Sequence, residues 1–135
     1  MAAAVTATTV IDGPKSAVIY CTNTSDGTGE SAVTKVDVSA LSALQDGTAC
    51  TGVRIEKITF TNVGMGVKLL WDASTDVIAA ELPADYSDTL DYSGISGLPN
   101  VAASGGKTGD IQLTTVGHGS GDTYSIVLYC LKEYA

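Results

Sequence analysis

The stretch Gly52-Val53-Arg54-Ile55-Glu56-Lys57-Ile58-Thr59-Phe60 alternates apolar and polar residues with one change of phase. Val53 and Ile55 point one way, and Ile58 and Phe60 continue the alternation only if one residue is skipped. Period-two alternation marks a half-buried strand, and a β-bulge near Glu56 and Lys57 reconciles the two halves. Immediately downstream, the turn Gly64-Met65-Gly66 leads into Val67, Leu69 and Trp71, which alternate with Lys68 and Asp72. That pattern predicts a strand with one buried and one wet face, and places Trp71 in the core.

The same reading extends in both directions. Val5 to Ile11 is rich in threonine and valine and ends at Asp12-Gly13-Pro14, where proline fixes φ and cannot donate to a ladder, so a hairpin follows. Ala17 to Thr22 is apolar on both faces and is expected to be covered on both sides. Thr24 to Ser31 reads as a polar loop and Ala32 to Val38 as a strand. Ser39 to Gln45 reads as one or two helical turns, capped by Ser39, with Leu41 and Leu44 on one face. Val77 to Leu82 and Tyr86 to Tyr92 are further short strands, and Ser93 to Lys107 a long surface loop. Ile111 and Leu113, the turn Gly117-His118-Gly119-Ser120-Gly121, and Tyr124 to Leu131 form an expected closing hairpin whose second strand is apolar on both faces.

The sum is an all-β fold of eight or nine short strands in an antiparallel two-sheet β-sandwich, jelly-roll-like or immunoglobulin-like. Residues 1–10 form an N-terminal arm or a first strand, and 11–135 a single sandwich domain. A chain of 135 residues with 44% hydrophobic and 16% charged residues is long and apolar enough to fold without a disulfide scaffold. Its formal charge of -8 opposes approach to phosphates and anionic lipid, so nucleic acid and membrane partners are not expected. The three cysteines, Cys21, Cys50 and Cys130, cannot all pair within one chain and read as reduced thiols in structural roles, Cys21 and Cys130 as small buried hydrophobes inside apolar runs and Cys50 in a turn-like stretch. The first residues lack the charged and apolar regions of a signal peptide, and no run reaches the length of a membrane span, so synthesis and use in a cytoplasm are expected.

Chemistry is sparse. The single histidine, His118, lies between glycines in a turn, where an exposed loop residue is the bland reading and a catalytic base the sharp one. No spacing suits zinc. Two acidic stretches, Asp26-Gly27-Thr28-Gly29-Glu30 and Asp85, Asp88 and Asp91, lack the spacing of a calcium loop and read as a solvated turn and a wet strand face. Paired carboxylates permit glycoside hydrolysis, but aromatic content of 6% gives little to stack sugars on. Neither glycine-rich turn joins a strand to a helix as a phosphate loop does. No enzyme activity and no cofactor are expected, which leaves surfaces to carry function.

The runs Asp12-Gly13-Pro14-Lys15 to Val36-Asp37-Val38-Ser39-Ala40-Leu41, Leu69-Leu70-Trp71-Asp72-Ala73, and Thr108-Gly109-Asp110-Ile111-Gln112-Leu113-Thr114-Thr115 with Ser120-Gly121-Asp122-Thr123-Tyr124 together resemble small virion structural proteins of tailed bacteriophages. That resemblance implies a virion component, in its most concrete form a capsid decoration or cement protein that binds the outside of the assembled major capsid shell. It implies contacts with the major capsid protein and with copies of itself, with trimers suggested by the local three-fold positions of capsid lattices. The candidate partner contacts are Val5, Thr6, Thr8, Thr9 and Val10 on the arm or first strand, with Tyr86, Tyr92, Leu98 and His118 on surface loops. The alternatives are a neck or tail component, or a carbohydrate-binding or host-adhesion module using Tyr86, Tyr92 and the loop after Ser93.

Overall fold

The computed structural model describes residues 4–27, 29–100, 108–117 and 119–134. Among these described residues nine strands run in order: β1 (Ala4–Asp12), β2 (Ser16–Asp26), β3 (Val33–Val36), β4 (Gly52–Val63), β5 (Gly66–Trp71), β6 (Val77–Leu82), β7 (Tyr86–Asp91), β8 (Ile111–Val116) and β9 (Ser120–Glu133). They form a five-stranded sheet ordered β1-β2-β9-β4-β7 and a four-stranded sheet ordered β3-β8-β5-β6, with every pairing antiparallel. This interleaved order is that of a jelly roll, with β1 added beside β2, and it sets aside the immunoglobulin-like alternative.

The long strand β4 is built as its phase change predicts. Its register against β9 shifts between Ile55 and Lys57, and this bulge lets Val53, Ile55, Ile58 and Phe60 all face inward and be buried. Opposite them, Val67, Leu69 and Trp71 of β5 and Ile111 and Leu113 of β8 close the core with Ala17, Ile19 and Cys21 of β2 and Ile126, Leu128 and Cys130 of β9. Each large aliphatic side chain so enclosed contributes about 1.5–3 kcal/mol of transfer free energy. All three cysteines are free and buried.

Several expectations change. Strands β2 and β9 are covered on one face only: Tyr20 is exposed, and Val18, Val127 and Tyr129 are half-buried by their cross-strand neighbours. Apolar residues on the outer face shield one another laterally without a covering layer. The segment 117–121 does not close a hairpin, because β8 belongs to the four-stranded sheet and β9 to the other. Gly117 and Gly121, both at positive φ, turn the chain across the sandwich instead. The helix expected over Ser39 to Gln45 is a single 3-10 turn, Val38–Ala40, capped by Asp37, whose side chain accepts from the Ser39 amide. The strand expected over Ala32 to Val38 shrinks to β3.

Candidate interaction surfaces

Five strands set against four leave β1 overhanging the sandwich. It pairs with β2 from Ala4↔Thr24 to Asp12↔Ala17. Ala7, Thr8, Thr9, Val10 and Ile11 are nevertheless all exposed, because no strand of the second sheet lies over them. A register shift between Thr9 and Ile11 leaves Val10 without a partner on β2, and Val10 and Ile11 are 57% and 51% exposed. Candidate contacts Thr8, Thr9 and Val10 therefore lie on a free surface, and Val5 and Thr6 occupy its ladder.

A second surface forms at the end of the sandwich where the β4–β5 and β6–β7 turns meet. Asp85, at φ 53, accepts from the Gly64 amide at 2.8 Å and ties one turn to the other. Buried Asn62 donates to the carbonyls of Leu82 at 3.3 Å and Pro83 at 3.1 Å, which fixes the approach to the turn. This rigid corner presents Val63, Tyr86 and Val116, 52%, 51% and 46% exposed. Two clefts flank it, one of about 400 Å³ lined by Gly66, Leu82, Pro83, Ala84 and Val116 among others, and one of about 330 Å³ lined by Asn62, Val63, Asp85 and Tyr86 among others. The Tyr86 ring is braced by Phe60, 6.1 Å away between centroids.

The other predicted loop contacts separate from Tyr86. Tyr92 and Leu98 pack against the core, and Leu98 bridges to Ile55 through paired backbone hydrogen bonds of 3.1 and 2.7 Å. Tyr86 begins β7, whereas Tyr92 follows its last residue, Asp91. His118 and residues 101–107 of the long loop lie outside the described residues.

Glu30, read from sequence as part of a solvated turn, is buried. Its carboxylate accepts from Asn23 Nδ2 at 2.7 Å and from the Tyr124 hydroxyl, and pairs with Lys35 Nζ at 2.6 Å. Burial, then the hydrogen bond to Glu30, push the Tyr124 phenol far above its ordinary range. The network is closed to solvent and ties the two sheets together. At the opposite end, buried Lys132 pairs with Asp12 and donates to the Ser42 carbonyl at 3.1 Å, while Asp12 accepts from the Ser42 amide at 2.9 Å. Burial raises the Asp12 pKa, but Lys132 and the Ser42 donors outweigh it and hold the carboxyl below its usual value.

Two further candidate acids are engaged locally. Asp88 accepts from the Thr89 amide, and Asp91 from the Ser93 amide, with the Ser93 donors holding Asp91 below the usual carboxylate range. Among the described residues no three His, Cys, Asp or Glu side chains gather as a metal site would require. No helix among them is long and apolar enough to cross a membrane.

The sequence matches no family model and no curated protein. Among solved structures the chain is similar to a cupin domain from Bordetella pertussis Tohama I, at 14% identity and TM-score 0.35, with 96% of this chain and 93% of that one covered. It is also similar to an uncharacterized conserved protein with a double-stranded β-helix domain from Klebsiella pneumoniae, at 9% identity and TM-score 0.33, covering 96% and 84%. At these TM-scores the likeness bears on neither ligand nor activity.

Proposed function

We propose that this chain is a non-enzymatic structural subunit of a tailed-phage virion, a decoration protein that binds the outer surface of the assembled capsid shell and stabilises it. The observation that carries this reading is the rigid corner between the β4–β5 and β6–β7 turns. It places Val63, Tyr86 and Val116 in water on a framework fixed by Asp85 and Asn62. Exposed apolar groups held on a rigid support lose little entropy on docking, which is what a binding surface requires. A subunit that binds the assembled lattice and not its separated pieces stabilises the shell by linkage, and modest contacts repeated over several capsid subunits suffice. The formal charge of -8 keeps the unbound subunit soluble.

One observation favours a second reading. Tyr86 stands exposed in a cleft with Asp85, Ser87 and Asn62, and an aromatic face beside polar groups suits a sugar ring. The two readings separate by experiment. Purified protein is mixed with expanded capsids lacking it and with a glycan panel, and bound protein is measured by sedimentation and by retention. Capsid binding that falls at least about tenfold in Val63→Asp and Tyr86→Asp, a loss of about 1.4 kcal/mol, supports decoration. Saturable glycan binding without capsid binding would replace it.

A further inference from the structure

Sheet edges invite pairing with other chains, and proteins blunt them with charge, proline or short length. The described strands leave four edges. Edge β7 carries Asp88 and Asp91, edge β6 carries Glu81, and edge β3 is four residues long and carries Lys35. Edge β1 is treated differently: its nine residues, AVTATTVID, hold no proline and no charge before Asp12. Its ladder with β2 is regular from Ala4 to Thr9, and the bulge falls only at the far end. Nor does core burial account for the strand, since Ala7 to Ile11 are exposed.

From this edge we infer that β1 pairs antiparallel with β1 of a second copy of the chain, joining two five-stranded sheets into one continuous ten-stranded sheet. A second copy fits this edge because the strand is uncharged before Asp12 and can pair with itself. With fifteen acidic and seven basic residues on each copy, most approaches of one copy to another bring acid against acid. The stretch from Ala4 to Ile11 is the edge along which two copies meet without doing so. A two-fold axis normal to the sheet keeps inner faces on the same side, so each residue meets one of its own parity. A register centred on Ala7 sets Ala7 against its copy, Thr6 against Thr8 and Val5 against Thr9, and leaves both Asp12 carboxylates beyond the ladder. The β-branched residues at these positions suit cross-strand pairing. The contact is isologous and closes at two copies, whereas the capsid analogy suggests three. It does not depend on the virion reading.

The test is the solution mass of the full chain by sedimentation, for the wild type and for Ala7→Lys, with melting temperature as a check on folding. A second variant, Ala7→Cys, is oxidised and compared with Ile78→Cys on edge β6. The expected result is a wild-type dimer, an Ala7→Lys monomer that melts with the wild type, and a covalent dimer from Ala7→Cys but not from Ile78→Cys. A wild-type monomer up to millimolar concentration would overturn the inference. So would a trimer, or a dimer that survives Ala7→Lys and gives no cross-link at Ala7→Cys. None of these outcomes touches capsid binding through the Tyr86 corner, so the two proposals fail separately.

Discussion

Lys35 and Glu30 form an ion pair with almost no access to water: Nζ lies 2.6 Å from Oε2, and the two side chains are 2% and 7% exposed. Lys35 belongs to β3 in one sheet, while Tyr124, the further donor to Glu30, belongs to β9 in the other. The carboxylate therefore stitches the sheets together. Removing one charge strands the other in a low-dielectric interior. Lys35→Met should cost about 3–5 kcal/mol in urea unfolding, the range for a broken buried pair. Tyr124→Phe should cost less, about 1.5–3 kcal/mol, as the loss of one hydrogen bond to a charged group. A Lys35→Met cost under about 1 kcal/mol would show that the pair is not desolvated.

Burial pushes the Cys21 thiol up to about 11 and the Cys130 thiol up to about 12, against 9.0 for an ordinary thiol. The folded chain then holds protons that the unfolded chain releases above pH 9, so stability is full below that pH. It should fall as pH rises through 9 to 11, by up to about 1.4 kcal/mol per pH unit for each thiol. Chemical denaturation at pH 8, 9 and 10 measures the slope, and the double variant Cys21→Ala, Cys130→Ala should flatten it. Thiol reagents should label the native protein slowly and the unfolded protein at once.

Gly109 and Gly117 both sit at positive φ, at 86° and 67°, yet their surroundings differ. A Cβ at Gly109 would lie 2.4 Å from the Thr51 carbonyl oxygen and 3.1 Å from Gly52 Cα, both backbone atoms, whereas at Gly117 it meets nothing within 4 Å. Gly117→Ala should cost about 1–2 kcal/mol for the conformation alone. Gly109→Ala should cost at least about 1 kcal/mol more, because backbone must move. Equal melting shifts for the two variants would contradict the packing at Gly109.

Asp110 accepts from the Val38 amide at 2.9 Å, and its pKa is raised above the ordinary value by burial, against the Val38 hydrogen bond, and by nearby Asp37 and Asp72. A raised carboxyl destabilises the fold where it is ionised and ceases to do so once protonated. Asp110→Asn keeps an acceptor for Val38 and removes the charge, so it should raise stability at pH 7 by no more than about 1 kcal/mol given solvent screening. The gain should vanish as pH falls toward 4. A loss at pH 7 would show that the hydrogen bonds to the Asp110 carboxylate outweigh the cost of its burial.

Much of the architecture is legible in local pattern. The phase slip between Ile55 and Ile58 locates the bulge, and alternation around Trp71 assigns its burial, because both depend on side-chain period alone. What is lost depends on distant partners. Glu30 looks like one more polar loop residue, and its environment is set by Asn23, Lys35 and by Tyr124, 94 positions away. A glycine-rich turn reads the same whether it closes a hairpin or crosses between sheets, so the expected hairpin between β8 and β9 gives way to a crossing that local pattern does not reveal. Tyr92 and Leu98 sit in a polar stretch that composition marks as surface, and the Leu98 bridge to Ile55 and the Tyr92 amide's hydrogen bond to the Glu56 carbonyl draw them inward. The Tyr86 corner is half legible: Tyr86 is visible as an exposed aromatic, while Val63 and Val116 reach it through the topology.

The most direct test of the decoration reading is electron microscopy of expanded capsids, prepared without this protein and then incubated with it, alongside capsid melting temperature. Regular density over the outer lattice, with the Val63–Tyr86–Val116 corner against the shell and a raised melting temperature, is the predicted result. Shells that bind no protein and melt unchanged would contradict it.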